Sequence, residues 1–172
     1  MQTHTQHHGS AKHSGMRGPG HYGRLALMIA LSFLAMYILM YAMVDRLENV
    51  YNNVNQFYMA GLMAAPMLVL ELVLMAGMYQ NKRLNAALIA AGLLAAVIFW
   101  CLIRQQGAVT EHQFLRSMIP HHGGAILMCK QLRSNDPKIV RLCGEIKASQ
   151  KTEIALMKAL LADRSSTSAA VE

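Results

Sequence analysis

The stretch YMAGLMAAPMLVLELVLMAGMY, residues 58–79, decides the fold. Only Glu71 in it is formally charged, and its length matches the ~20 residues a helix needs to cross the hydrocarbon core of a bilayer. A helix on the surface of a soluble bundle shows a polar stripe at every turn; this one does not. Two neighbours read the same way: LALMIALSFLAMYILMYAMV, residues 25–44, and LNAALIAAGLLAAVIFWCLI, residues 84–103. The sequence therefore predicts three transmembrane helices within residues 24–104. Composition agrees: 54% of the 172 residues are hydrophobic and 15% are charged, against about 25% charged in soluble domains.

The formal net charge of +7 raises nucleic-acid binding, and its distribution argues against it. The basic residues flank apolar segments or scatter over the C-terminal third. The aromatic residues lie mostly inside the apolar segments, so no basic–aromatic surface forms. The same basic residues orient the helices. Lys12, Arg17, Arg24, Lys82 and Arg83 fall on one side, and Arg46, Arg104 and Arg116 on the other. This bias places the N-terminus in the cytoplasm and the C-terminal third outside, in the periplasm of a bacterium, with the chain in the inner membrane.

Residues 1–23 are polar and rich in Gly, Ser and His, and they predict a disordered cytoplasmic tail. The tail carries His4, His7, His8, His13 and His21; loose metal binding and simple solvation are both open for it. Of the three cysteines, Cys101 falls in an apolar segment and is expected to be a buried small hydrophobe.

Beyond the third apolar segment, residues 105–163 read as a helical hairpin, followed by a frayed tail at 164–172. Thr110 caps a helix that runs to about Arg133, and Pro120 predicts a kink or a broken turn within it. Ser134-Asn135-Asp136-Pro137 is a turn followed by a helix start, with Pro137 at a first-turn position.

The first hairpin helix carries Met118, Pro120, His121, His122, Met128 and Cys129. Spacings of four (Met118–His122) and seven (His121–Met128) put these residues on one broad face. The second helix presents Ile146, Gln150, Glu153 and Met157 on one face. That face should be the apolar seam, yet it holds an amide and a carboxylate, which need partners when buried. A register with His121 opposite Gln150 places Met118 opposite Glu153, Phe114 opposite Met157, and Met128 opposite Cys143. Thioether and imidazole donors suit soft ions such as Cu(I), and hard Mg²⁺ or Ca²⁺ want oxygen ligands instead. A methionine stripe is most often core and a single histidine most often a hydrogen-bonded core residue. Two adjacent histidines behind a proline, flanked by methionines, depart from that pattern.

The run FLRSMIPHHGGAILM, residues 114–128, with IKASQKTEIALMK, residues 146–158, resembles the two motifs of a domain-of-unknown-function family, number three hundred and five. Its best-known member type is the CopM-like periplasmic copper-binding protein, and the resemblance here is to the membrane-anchored branch. It implies a ferritin-like helical bundle and binding of Cu(I), Ag(I) or Cu(II) through His and Met, with a role in metal tolerance. Carried over, the ligands are Met118, His121, His122, Met128 and Met157, with Gln150 and Glu153 as accessory groups.

Because a lone hairpin is half of a four-helix bundle and buries little surface, it is expected to pair across a homodimer or to dock on the membrane helices. Cys129 and Cys143 are near each other in the register above, and a disulfide and copper–thiolate ligation are both open. The overall expectation is an all-α chain of three transmembrane helices and a hairpin. It would sequester copper or silver, or pass it to an efflux partner. The alternative is a copper-conducting oligomer that uses a ladder of Met59, Met63, Met67, Glu71 and Met75, with Met36, Met40 and Met43 in the first helix. No enzyme is expected: neither Glu111, Glu145 nor Glu153 is followed by His at the Glu-x-x-His spacing of di-iron bundles.

Overall fold

In the computed structural model the described residues are 20–169, with side chains described to Arg164. They form five helices: α1 (Gly20–Leu39), α2 (Val54–Leu74), α3 (Lys82–Gln105), α4 (Glu111–Gln131) and α5 (Pro137–Ala169). Short 3₁₀ turns at Met40–Met43 and Leu47–Asn49 join α1 to α2. Among the described residues there is no strand, so the chain is all-α.

Three helical stretches are long and apolar enough to cross a membrane: Gly20–Met43, Val54–Leu74 and Lys82–Gln105, of 24, 21 and 24 residues. At 1.5 Å per residue each spans about 30 Å or more. Their starts follow from capping. Asn53 Oδ1 accepts from the Gln56 amide at 2.8 Å, and Asn81 Oδ1 accepts from the Leu84 amide at 3.0 Å. Each satisfies an amide that the helix itself leaves unpaired. At the other end of α3, Gln106 turns left-handed (φ 50°), and the Gly107 amide closes back on the Leu102 carbonyl at 2.9 Å.

The central helix is α2, which packs against α1 and α3. Small residues on its buried face (Ala60, Gly61, Ala64, Ala65) bring the neighbours close, as helix pairs in membranes require. The ring of Phe99 fills the space at Gly61, where a Cβ would lie 2.4 Å from Cζ.

The hairpin of α4 and α5 buries a core of Leu115, Ile119, Ile126, Ile154 and Met157. It also docks on the bundle of three apolar helices, where α1 ends and α2 begins. Gln113 Oε1 accepts from the Val54 amide at 3.1 Å. Asn55 Nδ2 donates to Ser117 Oγ at 3.2 Å, and the Tyr58 hydroxyl donates to the Gly107 carbonyl at 2.8 Å. Of the two expected fates of a lone hairpin, docking is the one seen within a single chain.

Several boundaries differ from expectation. The predicted disordered segment 1–23 overlaps α1, which is helical from Gly20; residues 1–19 lie outside the described residues. The predicted frayed tail from 164 is helical to Ala169, with Arg164 paired to Glu111. Pro120 does not break α4: the helix is held on two sides by packing, which outweighs the one hydrogen bond a proline removes. Cys101 is exposed on α3 rather than buried, on a helix whose surroundings are apolar if it crosses a membrane.

Candidate functional site

The two adjacent histidines of α4 part company. Successive helix residues point about 100° apart, so His122 enters the hairpin seam and His121 turns outward. His122 is buried (8% exposed), and both of its ring nitrogens are engaged. Nδ1 lies 2.9 Å from the Met118 carbonyl and Nε2 lies 2.7 Å from Glu153 Oε2. Both partners are oxygens. Ser149 Oγ donates to the other Glu153 oxygen at 2.5 Å. This bond and the His122 contact hold the Glu153 carboxyl below its ordinary value of 4.5.

His121 is exposed and lines a cleft of ≈ 500 Å³ between the hairpin and the end of the membrane bundle. Five methionines line the same cleft: Met118 and Met128 from α4, Met40 and Met43 from the turn after α1, and Met59 from α2. The remaining polar lining is neutral, from Asn53, Asn55, Gln56 and Ser117. Asn55 Oδ1 is buried and has no hydrogen-bond partner.

Gly123 and Gly124, directly after the histidines, set how near α4 comes. A Cβ on Gly123 would lie 2.9 Å from Asp45 Oδ1, and one on Gly124 would lie 3.4 Å from the Met43 carbonyl. The Asp45 carboxylate is 4% exposed. It takes Asn49 Nδ2 at 2.6 Å and Lys130 Nζ, from α4, at 3.4 Å. The glycines thus let the helix seat against the loop, and the seating closes one wall of the cleft.

Of the residues singled out in sequence, the cleft gathers Met118, His121 and Met128. His122 and Glu153 pair in the seam, with Gln150 half-buried on α5 one turn before Glu153. Met157 lies in the apolar core of the hairpin and does not line the cleft. Glu153 pairs with His122 rather than with Met118, one turn away, and the hairpin otherwise keeps close to the expected register, with Cys143 against Cys129 beside the expected Met128. Cys129 and Cys143 form a disulfide with Cα atoms 5.2 Å apart. This removes them from the ligand set, because a disulfide sulfur carries no thiolate charge for a metal.

Among the described residues, no group of three or more His, Cys, Asp or Glu side chains converges as a metal cage. The donors here are thioethers and one imidazole.

Glu71 of the ladder sits in the last turn of α2, where the Tyr79 hydroxyl donates to it at 3.5 Å. Met63 and Met75 of the ladder are exposed. Of the N-terminal histidines only His21, in the first turn of α1, lies within the described residues.

Sequence reasoning missed Met40, Met43 and Met59 as neighbours of the histidine motif, and Asp45 and Asn55 altogether. The usable signal was Gly123-Gly124, which marks a helix face that another backbone approaches.

Comparison with known proteins supplies the family. A domain of unknown function (DUF305) matches residues 73–171, from the last turn of α2 through α5. The chain is also 32% identical over 143 residues to the uncharacterized protein L153 of Acanthamoeba polyphaga mimivirus, covering 81% of this chain and 92% of that one. No solved structure matches. A profile that spans more than half the chain, ending on the hairpin whose two motifs frame His121 and Glu153, makes this protein a member of the DUF305 family.

Proposed function

We propose that the protein is a membrane-anchored metal-binding protein that sequesters or transfers copper or silver ions. The observation that carries this reading is the convergence of His121, Met118 and Met128 on one cleft. Thioether and imidazole donors favour Cu(I) and Ag(I), and the neutral lining offers no carboxylate to a hard dication. Such residues would hold the ion as cargo. The three apolar helices supply the anchor. In this reading the membrane is a bacterial inner membrane, the N-terminus is cytoplasmic, and the hairpin faces the periplasm, as the basic residues argue. The acceptor is an efflux partner, and the exposed apolar residues of α5, Leu142, Leu156 and Leu160, support pairing of two copies.

Anaerobic Cu(I) titration of the full chain in detergent, against a competing chelator, tests the reading. Stoichiometric binding is expected, weakened about tenfold or more by combined His121→Ala and His122→Ala, a difference of at least ~1.4 kcal/mol. Failure of the wild-type chain to compete with the chelator would overturn it. A copper-conducting oligomer remains the second reading. What favours it is Met59, at once the outer rung of the methionine ladder and part of the cleft wall.

A further inference from the structure

We propose that Met40, Met43 and Met59 of the membrane region are ligands too, completing with Met118, His121 and Met128 a single site for a soft monovalent cation. The ion then sits between the two halves of the chain and not in the hairpin alone. This inference rests on the metal-binding reading above and names where that site is.

Three observations carry it. The six donors come from separate parts of the chain, yet they line one cleft of ≈ 500 Å³. The cleft has no charged lining residue, so nothing offsets the charge of a bound ion. The cost of desolvating an ion rises with the square of its charge, which favours a monovalent ion. Soft thioethers then select Cu(I) or Ag(I) among monovalent cations.

The third observation is Asn55, a lining residue of the cleft whose Oδ1 is buried and lacks a partner. A buried acceptor left open in this way points to a missing ligand or a water. Its amide nitrogen is already committed to Ser117 and Gln106, so the side chain is held in place with the oxygen unpaired.

The cleft's width is set by the fold. Gly124 brings α4 to the carbonyl of Met43 itself, and Asp45 anchors the same loop to Lys130 of α4. A ligand set drawn from both sides of this joint ties the hairpin to the membrane bundle. Metal binding then raises resistance of the joint to unfolding, since a ligand that binds only the assembled form stabilises that form.

The probe is Ag(I), which is redox-inert, added to the full chain in detergent. Two measurements are made: affinity by chelator competition, and silver K-edge absorption to count sulfur neighbours. Met40→Leu/Met43→Leu/Met59→Leu keeps side-chain volume nearly constant. It is expected to lower Ag(I) affinity about tenfold or more and to reduce the sulfur count, with the metal-free thermal midpoint unchanged.

If the triple variant loses stability without metal, the wild-type sulfur count decides. More sulfur neighbours than Met118 and Met128 supply is the expected result; two or fewer overturns the inference. Unchanged affinity in the triple variant, alongside loss in His121→Ala, also overturns it and leaves the metal-binding reading standing. Absence of Ag(I) and Cu(I) binding by the wild-type chain overturns both.

Discussion

His121 and His122 are neighbours in sequence and opposites in the structure. His122 is buried against Glu153 with both ring nitrogens engaged; His121 opens onto a cleft among methionines. One face of α4 therefore packs into the hairpin seam and the other opens onto the cleft. A helix places adjacent residues about 100° apart, so a His-His pair at the edge of a seam serves both faces at once. The paired motif holds one histidine engaged in the seam and one facing the cleft, so under the proposed function only His121 is a ligand.

The largest effect should come from the residue on which both faces rest. Ile119 is fully buried between α4 and α5, and Ile119→Ala should cost about 2–5 kcal/mol. Thermal unfolding of the full chain in detergent measures it, and Ag(I) affinity should fall with it. A small loss would mean that the hairpin is held by its docking alone.

Next comes the disulfide, which closes a loop of sequence separation 14. Cys129→Ser/Cys143→Ser should cost about 3 kcal/mol while leaving Ag(I) affinity at the cleft intact. Loss of binding without loss of stability would return the cysteines to the ligand set.

The third effect separates the histidines directly. His122→Ala removes a ring that is 8% exposed in the hairpin seam and should cost about 0.5–3 kcal/mol, as buried truncations do. His121→Ala should stay within about 0.5 kcal/mol of the wild type, as surface changes do. Denaturant titration of both variants sharpens the contrast, and equal costs would break it.

The smallest effect is on pH dependence. Ser149 and His122 lower the Glu153 carboxyl below 4.5 in the folded chain. A carboxyl lowered on folding contributes stability above its unfolded value, and the contribution is lost as pH falls through the folded value. Thermal midpoints should therefore hold steady down to about pH 5 and decline below 4.5. Glu153→Gln should flatten part of that decline, and an unaltered profile would remove Glu153 from the account.

The helices themselves were legible in the sequence. Unbroken apolar runs gave three spans, and Asn-Asp-Pro at 135–137 gave the turn before α5, which begins at Pro137. The seam of α5 was legible too, since Ile146, Gln150, Glu153 and Met157 share a period that tertiary packing keeps.

The register was legible to within about one residue, since Cys143 bonds Cys129 next to the Met128 expected opposite it. The partner of Glu153 was not legible, because its long side chain reaches His122, one turn from Met118. Pro120 does not end α4, because intrinsic preference is a weak guide where packing on both sides of a helix decides. The cleft was the least legible feature. Met40 and Met118 are far apart in sequence and line one cleft only because the hairpin folds back onto the bundle. Nothing in the periodicity of either segment records that contact, apart from the glycines at 123 and 124 that allow it.

The central claim is that the ion is held by His121 with thioethers while His122 is structural. Cu(I) titration of the single variants His121→Ala and His122→Ala, full-length and side by side at a temperature where both are folded, tests it most directly. The account predicts that His121→Ala loses affinity about tenfold or more and that His122→Ala binds as the wild type does. Loss confined to His122→Ala would contradict it and move the site into the hairpin seam beside Glu153.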